Sequence, residues 1–236
     1  LGNTNRAKLA LDSAFMFLKE TTDNNTRALY HYASGDYYNW TLNEIEAHKY
    51  YYEAIRYYEQ SKDGYLKAIY ILHNIAFSYI QKEDEVNLEI ILERMKNIIN
   101  KVKDNISIDI AYRRISAYYY SIRYNKERNM AYLDSAITCN KKIIALFESN
   151  KYKDIRPEEI AYNYTSLAEN FLNKEIVDYD QIASLIDKAI TIASPIDTAM
   201  MVNSLWLKGQ IYERQNRIKD TEIVLKKQLQ LMKRWS

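Results

Sequence analysis

Three histidines, His31, His48 and His73, are the first residues to test for chemistry. A helical zinc site needs two histidines about one turn apart, and none of the three has another at i+3 or i+4. Cys139 is the single cysteine, which excludes an intrachain disulfide or a cluster of thiolate ligands within the chain. A phosphate-binding loop needs clustered glycines, whereas Gly2, Gly35, Gly64 and Gly209 are dispersed. The chain has no nucleophile-elbow pattern. The carboxylate pairs Glu44/Glu46, Asp84/Glu85 and Glu158/Glu159 fall where helices are expected to start. The helix dipole favours negative charge there, so these pairs read as helix-stabilising groups and not as a general acid and base. The expectation is a protein that is not an enzyme, with no catalytic residue, metal site or cofactor. What remains is a binding surface, and helices are the elements that must carry it.

The helices come as a repeat. Between Ala28 and Ala54, the residues Gly35, Tyr38, Ala47, Tyr51 and Ala54 stand at offsets 0, 3, 12, 16 and 19. Small residues alternating with rings at this spacing describe two antiparallel helices that touch through the small residues. Ala76 and Tyr79 repeat the first pair, followed by Leu88, Leu92 and Met95. Ala117, Tyr120, Leu133 and Ala136 come next, then Ala168, Phe171, Ile186 and Ala189 with two extra residues between the halves. Gly209, Tyr212, Leu225 and Gln228 close the series. The markers 35, 76 and 117 are 41 residues apart, as are 168 and 209. A period in this range signals a solenoid or array. Ala7, Leu11 and Ala14 match a second helix, so the chain opens on a half unit; Leu11-Asp12-Ser13-Ala14 returns as Leu133-Asp134-Ser135-Ala136 and, more loosely, as Ile186-Asp187-Lys188-Ala189.

The predicted elements are an orphan helix at 5–19 and helix pairs near 26–60, 65–102, 108–149, 157–193 and 197–234, in one array spanning 1–236. Asp23 or Asn24, Thr41 or Asn43, and Asp84 are the expected caps. Between Ala136 and Ala168 lie ten residues more than in the equivalent gaps. They predict a longer helix after Ala136, a loop around Lys151-Tyr152-Lys153-Asp154, or both, and this 148–157 insertion is a candidate functional irregularity.

These residues resemble the tetratricopeptide repeat (TPR) family, which has small and aromatic residues at the places that Gly35, Tyr38, Ala47, Tyr51 and Ala54 occupy. The later units depart from the pattern, with Leu88, Leu92 and Met95 in the second and Thr221 and Gln228 where Ala is usual in the fifth. The period also exceeds the family's length of about 34. The resemblance implies an all-α fold, a right-handed α-α superhelix (TPR-like solenoid) of about five helix pairs plus an N-terminal half repeat. It also implies a concave groove lined by the first helix of each pair. Mapped onto this chain, the groove takes Tyr32, Asp36 and Asn39 from unit one, and His73, Asn74 and Phe77 from unit two. Arg114 and Tyr118 come from unit three, Tyr162, Thr165, Glu169 and Asn173 from unit four, and Asn203, Trp206 and Gln210 from unit five. Rings offer contact area at low entropy cost, and amides bond to an extended peptide backbone. The Lys, Asn and Arg set of the family's carboxylate-clamp members does not appear.

Composition agrees with an all-α array. Only four Gly and two Pro interrupt 236 residues, and 47% of the chain is apolar. The 23 Tyr suit helix seams that end at solvent. A net charge of +2 gives no basic excess, so direct nucleic-acid binding is not expected. No run of about 18 apolar residues is present, so no membrane span is expected within these residues. The start at Leu1 and the end within a helix lead to the expectation of a fragment of something longer. The reading favoured is a peptide- or protein-binding array that serves as the sensor or interaction region of a larger bacterial signalling or transcriptional regulator, resembling the TPR sensor regions of membrane-coupled regulators and sensor kinases. That reading places the array in the periplasm and allows a homodimer. The alternatives are a cytoplasmic peptide-pheromone receptor type of regulator, or a scaffold in a protein assembly.

Overall fold

A computed structural model describes residues 2–18, 23–102, 105–149, 157–193 and 198–233. They form eleven α-helices and no strand among the described residues. In order these are α1 (Gly2–Leu18), α2 (Asn24–Trp40), α3 (Glu44–Tyr58), α4 (Tyr65–Gln81), α5 (Glu85–Lys101), α6 (Ile106–Glu127), α7 (Met130–Glu148), α8 (Pro157–Leu172), α9 (Tyr179–Ala193), α10 (Thr198–Arg214) and α11 (Ile218–Lys233). A single 3-10 turn, Lys62–Gly64, joins α3 to α4. Helices pack on their neighbours in the chain, the arrangement of an α-α solenoid. The packing divides the chain into two compact units, Leu1–Ile115 and Ser116–Ser236.

Local chemistry sets the helix starts. Asp23 accepts hydrogen bonds from the backbone N–H of Asn25 and Thr26, Asn43 from Glu46, Asp84 from Asn87 and Asn129 from Ala131. Each satisfies donors that a helix leaves open at its first turn. The turns within four of the five pairs, all but α8–α9, have a shared geometry that the sequence did not announce. Leu42, Glu83, Arg128 and Asn216 all have positive φ, between 51° and 61°. A residue with this left-handed backbone ends α2, α4, α6 and α10, in the place where glycine is usual. The backbone N–H groups of Asn43, Asp84 and Arg217 then reach back to the carbonyls of Tyr38, Tyr79 and Tyr212 at 2.9, 2.9 and 2.8 Å. In these three pairs the ring marker of the repeat therefore also marks the turn, whereas in the third the Arg128 N–H reaches the carbonyl of Tyr124 and not that of the marker Tyr120.

The small residues of the full helix pairs lie at the seams, whereas Ala14 of the N-terminal half unit is exposed. In the first unit Ala28, Ala47, Ala54, Ala68 and Ala76 are fully buried, with Ile55, Ile69, Leu72, Leu88 and Met95 around them. In the second, Leu133, Ile144, Tyr164, Leu167, Phe171, Ile182, Ile186 and Leu205 form one core that includes Ala168, Ala189 and Ala193. α6 is 22 residues long and runs to Glu127, longer than the first helix of any other pair. Tyr124 anchors the extra turn, buried and donating its hydroxyl to the Asn173 carbonyl at 3.1 Å. The predicted lengthening after Ala136 is observed, since α7 continues to Glu148 whereas α3 stops at Tyr58, soon after Ala54. Its last residue ties the next two helices, accepting from Tyr164 Oη at 2.7 Å and Lys188 Nζ at 3.3 Å. Lys151, Tyr152, Lys153 and Asp154 lie outside the described residues.

Candidate functional site: a ring-lined cleft

In the first unit, α2 and α4 face one cleft of about 430 Å³. Its lining is Leu29 and Tyr32 from α2, Tyr58 from the end of α3, and Lys67, Tyr70, Ile71 and Asn74 from α4. Two groove residues expected from the sequence, Tyr32 and Asn74, therefore share one surface. Leu29 is 59% exposed and Tyr70 51%, so two large apolar groups stand open to solvent. Tyr58 is buried and forms the floor. Lys67 holds its ammonium 5.2 Å from the centre of the Tyr58 ring, an attraction of cation and ring face. Burial and the nearby Asp36 carboxylate raise the Tyr32 hydroxyl above its ordinary pKa, so it stays a neutral donor.

Asp36 and Asn39 line a second, more open cleft of about 720 Å³, between α2 and the alanines Ala7, Ala10 and Ala14 of α1. Asp36 accepts a hydrogen bond from Tyr51 Oη at 2.8 Å, which anchors the ring that packs on Gly35. His73 and Phe77 pair their rings with centroids 5.0 Å apart, and neither is among the residues lining the two clefts. Arg114 is half-buried on α6.

The candidates of the second unit divide differently. Tyr118 and Tyr162 pair across α6 and α8 with ring centroids 5.7 Å apart. Thr165 is 5% exposed and its hydroxyl meets that of Ser204 at 3.1 Å, so it lies in the seam between α8 and α10. Asn173 caps the end of α8, donating to the Glu169 carbonyl oxygen at 3.1 Å. Glu169 is open to water at its edge, yet the protein around its carboxyl removes enough solvent to raise its pKa. Asn203 and Trp206 are exposed and Gln210 is half-buried.

Sequence reading missed Leu29, Tyr58, Lys67, Tyr70 and Ile71. A signal was present for two of them. Leu29 and Tyr70 are 41 residues apart and hold the repeat position that supplies Tyr162 and Asn203 in later units. Tyr58 closes α3, a second helix, which a groove drawn from first helices alone omits, whereas Lys67 and Ile71 lie on the first helix α4 at repeat positions that the mapping left out. Among the described residues no group of three or more His, Cys, Asp or Glu side chains is placed to hold a metal. No described helix is long and apolar enough to cross a membrane.

No protein-family profile matches the chain, and no curated protein matches it. Among solved structures it is similar to the crystal structure of BtubC (BKLC) from P. vanneervenii, at 12% identity and a TM-score of 0.69. That match covers 98% of this chain and 90% of the other. At such identity the likeness concerns the fold.

Proposed function

We propose that this chain is a non-enzymatic peptide- or protein-binding array of tetratricopeptide type, acting as the sensor or interaction region of a larger bacterial regulator. The cleft between α2 and α4 carries the reading. An open apolar lining with few, placed polar groups is the composition of a ligand site. Leu29 and Tyr70 offer walls for an apolar side chain, and the Asn74 amide offers one donor pair and one acceptor to an extended backbone. Lys67, at the rim, favours a ligand with a carboxylate nearby. A ligand held by two successive pairs favours the helix spacing that fits it, and shifts that equilibrium only by its differential affinity.

Selection of a peptide-display library on the intact chain tests the reading. The expected outcome is a family of binders with an apolar residue beside an acidic one. Tyr70→Ala and Asn74→Ala should each weaken them by about tenfold or more and leave melting nearly unchanged, because exposed substitutions cost little stability. Binders unaffected by both substitutions, or no binders at all, would defeat the proposal.

A further inference from the structure

The α2–α4 cleft has two ends, and they differ in charge. Two short turns reverse the chain between α2 and α4, so the two helices run in the same direction. Lys67, Tyr70 and Asn74 follow one another along one wall of the cleft, and Leu29 and Tyr32 along the other. Lys67, near the start of α4, marks one end. It is exposed, has no ion-pair partner among the described residues, and rests its ammonium on the Tyr58 ring. One turn of α2 beyond Tyr32 stands Asp36, towards the other end. Its carboxylate accepts hydrogen bonds from the hydroxyls of Tyr32 and Tyr51. Asp36 is also exposed and meets no cation among the described residues. Tyr51 is 4% exposed, so the negative end is fixed in place before any ligand arrives.

Spacing limits what can answer both charges. The repeat gives Lys67 of α4 the place of Thr26 in α2, ten residues before Asp36. At 1.5 Å per residue the two charges are about 15 Å apart along the helices. Salt screens an exposed pair at that distance, so neither charge neutralises the other. A single amino acid is too short to meet both, whereas an extended chain covers the span in about four residues. Leu29 and Tyr70 share one repeat place, level with each other and closer to Lys67 than to Asp36. The other junctions between first helices lack this pair of charges. They hold Phe77 with Ile108, Tyr118 with Glu159 and Glu169 with Met200 at the same two places.

We propose, on the reading of this cleft as a peptide site, that it selects a bipolar ligand, a segment with a carboxylate side chain, an apolar residue beside it, and a basic side chain about four residues from the carboxylate. Lys67 takes the carboxylate, Leu29 and Tyr70 take the apolar side chain, and Asp36 takes the basic group. A basic group has no seat at the first end, because Lys67 repels it there.

Peptides of about seven residues with blocked ends test this on the intact chain. Two are bipolar, Glu-Leu-x-x-Lys and its reverse, because side chains alone do not fix the direction of the backbone in the cleft. An acid-only peptide has Gln for the Lys, a base-only peptide has Gln for the Glu, and a short-spaced one has Lys next to the Leu. Fluorescence anisotropy of each labelled peptide is the readout. One bipolar order should bind about fivefold or more tightly than the acid-only, base-only and short-spaced peptides, by an advantage that shrinks as salt rises. Asp36→Asn keeps an oxygen for the Tyr51 hydroxyl and should erase the preference over the acid-only peptide. Lys67→Gln should erase the preference over the base-only peptide, and Lys67→Glu should make the base-only peptide bind better than the acid-only one. An acid-only peptide that binds as tightly as the better bipolar one overturns the bipolar ligand and leaves the cleft as a peptide site. A preference that persists in Asp36→Asn also overturns it, since the basic group would then be seated elsewhere. No binding of any of the peptides up to about 100 µM would defeat the peptide site itself.

Discussion

Gly35 and Gly209 hold the same place in the first and last helix pairs, facing Tyr51 and Leu225 respectively, yet they do different work. A Cβ on Gly35 would lie 2.4 Å from Cδ1 of Tyr51, inside any tolerable contact. A Cβ on Gly209 would lie 3.4 Å from Cδ2 of Leu225, an ordinary van der Waals distance. Tyr51 cannot retreat, because it is 4% exposed and its hydroxyl is held by Asp36. Leu225 is 39% exposed and has room. The contrast extends through the two units. The first is knitted by rings: His31 stacks on Tyr57 at 5.5 Å and Tyr38 on Tyr50 at 5.3 Å, while the Arg56 guanidinium lies 4.6 Å over Tyr57. The second keeps ring contacts, such as Tyr118 with Tyr162, and adds buried polar side chains to its seams, in the pairs Ser121 with Asn170, Asn140 with Ser166 and Thr165 with Ser204, each at 3.1 Å. One repeat pattern thus supports two kinds of seam, and the identity of a marker residue does not set how tightly it is held.

The glycine pair gives the largest expected effect. Gly35→Ala should destabilise by roughly 1–3 kcal/mol through overpacking against Tyr51, and Gly35→Leu by more. Gly209→Ala should be neutral or should stabilise by up to about 1 kcal/mol, because alanine is the better helix former and the space exists. Chemical denaturation of the three variants checks the contrast. Equal losses at the two glycines would show that the last seam is as tight as the first.

The polar seam predicts a different signature. Thr165→Val removes one hydroxyl and leaves that of Ser204, which is fully buried, without its partner. A cost of about 1–3 kcal/mol is expected for the single substitution. In Thr165→Val/Ser204→Ala both partners are gone, and the double variant should be less damaged than the sum of the single ones. The coupling measured in a double-mutant cycle is the test, and additive costs would mean that the two hydroxyls do not depend on each other.

Legibility in the sequence followed the same physics. Two helices that touch need small residues at fixed spacing, so Ala47, Ala54, Ala76, Ala136, Ala168 and Ala189 announced the seams and are buried there. Caps were legible because Asp and Asn side chains satisfy open N–H groups, as Asp23, Asn43 and Asp84 do. The turn residues were not legible: Leu42 and Glu83 carry a positive φ that their types disfavour, and the chain geometry alone demands it. The candidate site was half legible. The repeat register brought Tyr32 and Asn74 together, but it could not separate a residue facing a cleft from one facing the next helix. Thr165 and Trp206 show the limit, since they share one register position, and the first is covered by α10 whereas the second is open.

The smallest predicted effect is a difference in acid sensitivity between the units. All three histidines lie in the first unit and none in the second. Burial pulls the pKa of His31 below its ordinary 6.5, with Glu53 opposing and Arg56 assisting, and Nδ1 of the ring is buried without a hydrogen bond. Burial also lowers His48, where Glu44 opposes and Lys82 assists, and the ring contacts Ser78 Oγ and Tyr79 Oη of α4 at 3.1 and 3.4 Å. A group with a depressed basic pKa takes its proton first in the unfolded chain. Its contribution is therefore complete above pH 6.5 and is lost as pH falls through that value towards the folded pKa. Glu169 in the second unit has the opposite sign, because desolvation raises its pKa above the ordinary 4.5. The folded form takes that proton first, so acidification relieves a cost there. Hydrogen exchange read helix by helix at pH 7.5 and at about pH 6, corrected for intrinsic rates, should show α2–α4 losing protection relative to α8–α10. Substituting both His31 and His48 with Gln should flatten that difference, whereas a uniform loss across the two units would mean that neither ring is held neutral by its burial.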